Sequence, residues 1–232
     1  MANRMNKKME TQLITIENSK SPISEQYRTL RTNIQYSSVD KELKSIIITS
    51  PNPGEGKSTT IANLAIVFAQ QGKKVLLVDA DLRKPTIHYT FNINNTKGLT
   101  NLLMKKASLG DVIQQTPVLN LFLLPSGTIP PYPAELLQSE MMSQLMDRLK
   151  ASFDLILFDT PPILAVADAQ ILANKCDGSI LVVKSGSTEK EGAVRSKDIL
   201  MSSRSKLLGV VLNNKMMKDS PYQTTYYYGQ IK

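Results

Sequence analysis

Between Ser45 and Gln71 the chain passes from a strand through a glycine-bearing turn into a helix, and that passage constrains everything else about the fold. Ile46-Ile47-Ile48 is the kind of short apolar run that a buried parallel strand carries. The turn Ser50-Pro51-Asn52-Pro53-Gly54-Glu55-Gly56-Lys57-Ser58-Thr59 follows it. Ile61, Leu64, Ala65, Phe68 and Ala69 then recur at helical spacing. Strand, glycine turn and helix N-terminus in this order make a phosphate-binding loop. The cause is electrostatic: unpaired backbone N–H groups and the positive end of a helix dipole converge on one concavity. Pro53, Gly54, Glu55, Gly56, Lys57, Ser58 and Thr59 are therefore the expected nucleotide-binding residues. Lys57 is expected to reach the outer phosphates of ATP, and the Ser58 hydroxyl to ligate Mg²⁺. The general pattern places a glycine where this chain has Pro51, so the loop is a variant, with Gly54 and Gly56 supplying the permissive backbone.

The rest of the chain repeats the same alternation. Strand signals recur at 45–49, 74–79, 120–124, 154–159, 179–184 and 207–212. Helical stretches are expected at 57–71, 98–115 (broken near Ser108), 133–151, 166–175 and 188–203. Near-continuous Val/Ile/Leu strands between amphipathic helices predict an α/β fold: a doubly wound, mostly parallel sheet with helices on both faces. Ligand then binds at the carboxyl ends of the strands. Before this region, Ser24 is expected to cap a helix running to Gln35, with residues 1–23 a flexible segment. The domain proper spans 24–213, and residues 214–232 read as a mobile, tyrosine-rich tail.

Composition narrows the chemistry. At 232 residues, one domain is expected. No apolar run approaches the roughly 18 residues that span a bilayer, and the opening residues lack the apolar core of a secretory signal. One cysteine and one histidine leave no zinc site and no internal disulfide, which fits a cytoplasmic chain. Any metal is expected to be Mg²⁺, held by carboxylates and hydroxyls. The net charge of +8 admits nucleic acid, an anionic membrane face or acidic partners. With no helix-turn-helix and no aromatic-basic motif, nucleic acid is not expected as a partner.

Two strands end in acids. Val75-Leu76-Leu77-Val78 runs into Asp79-Ala80-Asp81-Leu82-Arg83-Lys84, and Leu155-Ile156-Leu157-Phe158 runs into Asp159-Thr160-Pro161-Pro162. Asp159 suits a magnesium-organising role, or else caps the next turn. Asp79 and Asp81, two apart on a strand, are expected to share a face. Two acids there can divide labour between metal and proton transfer to an incoming hydroxyl, or position water. Arg83 and Lys84 either steady phosphate oxygens or pair with acids. The final residues hold Tyr222, Tyr226, Tyr227 and Tyr228, four of the chain's eight tyrosines. They read as a docking peptide or as phosphoryl acceptors, and the nucleotide loop on the same chain favours acceptors.

The loop, the Asp79-x-Asp81-x-Arg83 and Asp159-x-x-Pro162 strand ends and the tyrosine cluster together resemble bacterial tyrosine kinases. The narrower likeness is to the cytoplasmic kinase subunits of Gram-positive capsule and exopolysaccharide systems. The resemblance implies a P-loop NTPase fold shared with chromosome- and septum-partitioning ATPases, in which a lysine stands where this chain has Asn52. A partitioning-type ATPase without kinase activity is the alternative reading. The likeness further implies Asp79 as base toward tyrosine, with Asp81 and Asp159 serving Mg²⁺ and Asn213 near the adenine. Glu25, Arg28 and Arg31, along one side of the first helix, are implied to assemble homo-oligomers, ring-like, that phosphorylate the tails in trans. The implied partners are a transmembrane adaptor of the polysaccharide co-polymerase type, a cognate tyrosine phosphatase and cytoplasmic protein substrates. The adaptor is implied to recruit the kinase to the inner face of the cell membrane.

Overall fold

The structure, a computed structural model, describes residues 13–37 and 42–215. Its frame is a seven-stranded sheet built from β1 (Ser45–Thr49), β2 (Val75–Asp79), β3 (Gln114–Gln115), β4 (Leu121–Leu124), β5 (Leu155–Asp159), β6 (Gly178–Lys184) and β7 (Lys206–Asn213). The strand order is β3-β4-β2-β5-β1-β6-β7, parallel throughout except where β3 meets β4. β1 therefore lies between β5 and β6, with β2 on the far side of β5. The doubly wound parallel sheet expected from the strand pattern is the one observed.

Both faces of the sheet are covered, which is why its strands read as continuous aliphatic runs. Ile46 and Ile48 enter one core with α2 (Pro22–Tyr36) and α3 (Lys57–Gln70). Ile47 enters the other, with α8 (Glu140–Ser152), α9 (Asp168–Ala173) and α10 (Lys190–Met201). α3 is buried nearly all round, so it shows little amphipathic contrast. Among the described residues no helix is long and apolar enough to cross a membrane.

Several boundaries differ from the sequence expectation. Ser21, not Ser24, caps α2: its hydroxyl accepts from the Ser24 amide, and Pro22 occupies the first helical position. Ser24 is buried and its hydroxyl meets the carbonyls of Ile14 and Asn18, at 3.1 and 2.7 Å. Residues 14–17, expected within a flexible opening that reaches residue 23, form α1 (Ile14–Glu17), which is docked on α3. Buried Thr15 donates its amide and hydroxyl to Asn63 Oδ1 at 3.1 and 2.9 Å. A four-residue helix has no periodicity to detect, and its docking depends on a polar contact that no local pattern reports.

The expected helix 133–151 is two, α7 (Pro133–Gln138) and α8, because Ser139 adopts extended backbone and caps the second through the Met142 amide. The expected 98–115 helix reduces to α5 (Leu99–Leu103) and α6 (Leu109–Val112), with α4 (Ile87–Thr90) preceding them. Gln114 and Gln115 leave the helix to pair antiparallel with β4 at the sheet edge. Tertiary pairing overrides local propensity there.

The Asn63 contact carries a measurable consequence. Asn63→Ala leaves the buried Thr15 amide without its acceptor and is expected to lower the unfolding free energy by about 2 kcal/mol in urea titration. A change within a few tenths of a kcal/mol would mean that α1 does not dock in solution.

Candidate functional site

The phosphate loop connects β1 to α3. Gly54 and Gly56 sit at φ 77° and 90°, where a side chain is strained, and Gly56 closes the turn as the N-cap of α3. A Cβ on Gly56 would lie 2.0 Å from Asn213 Nδ2, so any side chain there would also have to displace the Asn213 amide. The amides of the first turn of α3, from Lys57 to Thr59, have no acceptor within the helix. Pro51 is buried, and the loop closes without the glycine of the general pattern at that place. Ser50 Oγ donates to the Asn52 carbonyl at 2.8 Å. Glu55, only 3% exposed, folds back to accept the Asn52 amide at 3.1 Å and the Thr188 hydroxyl at 2.6 Å.

Strand register brings the acids together. β2 and β5 pair in parallel so that Asp79 stands opposite Asp159, both fully buried. Lys57 Nζ lies 3.3 Å from Asp81 Oδ2 and 3.5 Å from Asp159 Oδ1. Ser58 Oγ donates to Asp159 Oδ2 at 2.6 Å. Asp81 reaches the site by another route than expected: β2 ends at Asp79, so the shared strand face does not apply to it. It is held by a turn instead, its Oδ1 accepting the Lys84 amide at 3.0 Å. Asp79 Oδ2 accepts the Thr86 and Ile87 amides at 3.1 and 3.0 Å, whereas its buried Oδ1 has no partner among the described residues.

Three carboxylates thus face one ammonium. Burial, and then the Asp159 charge, push the Asp79 carboxyl well above the usual range. Burial raises Asp159 too, against the opposing pull of Lys57 and Ser58. Burial alone would lower the Lys57 ammonium, but Asp159 and Asp81 outweigh it and hold the amine charged. Carboxylate and hydroxyl oxygens are the kind of donor a hard divalent cation takes, and Ser58, Asp81 and Asp159 are the residues that could hold one.

Other expected site residues are distributed differently. Arg83 pairs with an acid: its Nε and Nη2 donate to the two oxygens of buried Asp168 at 2.9 and 3.0 Å. Asn213 ends β7 beside the loop, its Nδ2 donating to the Glu55 carbonyl at 2.9 Å. Arg28 pairs with Glu25 on its own helix and donates to the Ser19 carbonyl. Arg31 Nη1 donates to the Val67 carbonyl on α3 at 3.0 Å. Tyr222, Tyr226, Tyr227 and Tyr228 lie outside the described residues. Thr188 and Asp168 escaped the sequence reading, since neither belongs to a motif and their partners are more than 80 residues away.

A glycine loop opening onto a helix at the carboxyl edge of a parallel sheet, beside two acid-tipped strands, defines a nucleotide-binding protein of the phosphate-loop class. The AAA domain family matches residues 43–206. The chain is 56% identical over 232 residues to tyrosine-protein kinase YwqD of Bacillus subtilis (strain 168), covering 99% of this chain and 97% of that protein. The kinase domain of Escherichia coli tyrosine kinase ETK superposes with a TM-score of 0.85 at 33% identity, covering 94% and 84% of the two chains. The septum site-determining protein MinD of Pyrococcus horikoshii, complexed with Mg-ADP, gives 0.65 at 25% identity over 77% and 74%. This chain belongs to the bacterial tyrosine-protein kinase family.

The acid cluster has a stability cost. Because burial raises the Asp79 carboxyl above its unfolded value, its contribution to stability falls as pH rises from the ordinary carboxyl value through the raised one. Asp79→Asn is therefore expected to raise the Tm of the nucleotide-free protein by about 2–4 °C at pH 8 and by less at pH 5. An equal shift at both pH values in a thermal melt would contradict a raised carboxyl.

Proposed function

We propose that this chain is an ATP-dependent protein-tyrosine kinase, transferring the γ-phosphoryl group of ATP to protein tyrosine and releasing ADP. The observation that carries the proposal is Asp79, a third buried acid beside Asp81 and Asp159, with one oxygen unpartnered. A kinase needs a base for the incoming hydroxyl, a place that an ATPase can use instead to position water. In this reading the loop amides and Lys57 bind and orient the phosphates. The tyrosine oxygen forms its bond to the γ-phosphorus as the bond to the bridging oxygen of ADP breaks, and Asp79 accepts the phenol proton. Ser58, Asp81 and Asp159 would hold Mg²⁺, which when bound neutralises phosphate charge. Asn213, anchored beside Gly56, would border the base.

The acceptors are Tyr226, Tyr227 and Tyr228, with Tyr222 behind them, presented to the site of a neighbouring copy. Each phosphate adds about −1.5 to −2 charges at neutral pH, and charges clustered on one tail repel each other and any acidic pocket. Homo-oligomers form through Glu25, Arg28 and Arg31, whose contacts within the chain would be exchanged for contacts to a neighbour. A transmembrane adaptor recruits and activates the kinase at the inner membrane face, a tyrosine phosphatase reverses it, and the output is regulated capsular or exopolysaccharide synthesis and export. The likeness to named tyrosine kinases over nearly the whole chain supports this reading above the partitioning ATPase, whose structural likeness is lower.

Purified protein with adaptor, Mg²⁺ and γ-labelled ATP should label tail tyrosines. Replacing Tyr226, Tyr227 and Tyr228 with Phe should remove most of the label and leave nucleotide affinity unchanged. Lys57→Ala should lower labelling by roughly 10²–10³-fold, the scale of losing one charge-stabilising donor. Phosphate release without any phosphotyrosine would favour the ATPase reading instead.

A further inference from the structure

Thr188 lies in the connection between β6 and α10, and its hydroxyl both accepts and donates. It accepts the Lys184 amide at 2.7 Å and donates to Glu55 Oε1 at 2.6 Å. The same connection is fastened to the end of β7, where the Ser185 amide donates to the Asn213 carbonyl at 2.9 Å. Asn213 returns to the loop through its Nδ2 and the Glu55 carbonyl. Loop, connection and strand end thus form one closed circuit of hydrogen bonds, and Glu55 meets it with both its side chain and its backbone.

We propose that Thr188 is a positioning residue for the phosphate loop: its hydroxyl holds the Glu55 carboxylate inward, so that the loop stands preformed before nucleotide arrives. The loop turns on Gly54 and Gly56, which leave its backbone free to take other conformations. A buried carboxylate tolerates its position only while donors meet it. Without Thr188, Glu55 keeps the Asn52 amide at 3.1 Å and a long contact to Asn52 Nδ2 at 3.4 Å. The O–H···O⁻ bond from Thr188 is the shortest of the three and is charge-assisted. Its loss lets Glu55 swing toward solvent and carry the Asn52–Gly56 backbone with it. Nucleotide then binds only the fraction of molecules whose loop is still folded.

The inference rests on nucleotide binding at this loop and not on tyrosine being the acceptor. Its test is therefore a titration of the full chain with a fluorescent ATP analogue and Mg²⁺, read separately from any labelling of tyrosine. Thr188→Val, near-isosteric but without the hydroxyl, is expected to weaken binding about tenfold, the effect of one hydrogen bond to a charged group. Thr188→Ser, which keeps the hydroxyl, is expected to stay within about twofold of the parent. In turnover assays KM for ATP should rise in the same ratio for the valine variant while kcat changes little. A threonine that only shaped its own turn would lower thermal stability without separating serine from valine in this way.

Thr188→Ala supplies the same deletion should valine fail to fold. The double variant of Thr188→Val with Glu55→Ala should bind no more weakly than the worse single variant, because both remove the same contact. Parent-like binding by the valine and alanine variants, a serine variant as weak as valine, a fall in kcat in place of a rise in KM, or additive losses in the double variant would each overturn the proposal.

Discussion

One lysine ammonium, Lys57, stands against three buried carboxylates at the carboxyl edge of the sheet, and the rest of the molecule is arranged around that imbalance. Asp81 and Asp159 lie within 3.5 Å of it, and Asp79 is placed opposite Asp159 by the pairing of β2 with β5. Paired hydrogen bonds and one ammonium do not neutralise such a cluster, so burial shows itself as raised carboxyl pKa values. A divalent cation held there would bring the missing positive charge.

The phosphate loop must stay open to ligand yet not collapse, and the means are local. Its two left-handed glycines remove steric resistance to the turn, and Glu55 replaces it with hydrogen bonds to Asn52, Thr188 and, through its carbonyl, Asn213. Arg83 does a comparable task on the other side, binding Asp168 at the start of α9 and so fixing the turn that carries Asp81. The charged residues around this site act more on the protein's own backbone and side chains than their sequence motifs alone suggest.

Tyrosine kinase and partitioning ATPase share this scaffold. MinD of Pyrococcus horikoshii superposes on most of the chain, as the parallel sheet and loop require. The buried Asp79 with its unpartnered oxygen suits either proton transfer from an incoming hydroxyl or the positioning of water. Fold alone does not separate the two chemistries.

The parallel sheet, the loop and the acid-tipped strands were legible in the sequence because each is a local pattern: a run of aliphatic residues, glycines at set offsets, a carboxylate where hydrophobicity stops. Asp79, Asp159 and Lys57 could be assigned to one site from that alone, since parallel strands deliver their carboxyl ends to a common edge. What the sequence could not decide was everything made by residues distant along the chain. Thr188 on Glu55, Asp168 on Arg83, Thr15 on Asn63 and the register that sets Asp79 against Asp159 are all long-range pairings. Ser139 breaking a helix and Gln114–Gln115 joining the sheet edge belong to the same class. Periodicity reports which face of an element is buried, while the partner on that face exists only once the chain has folded.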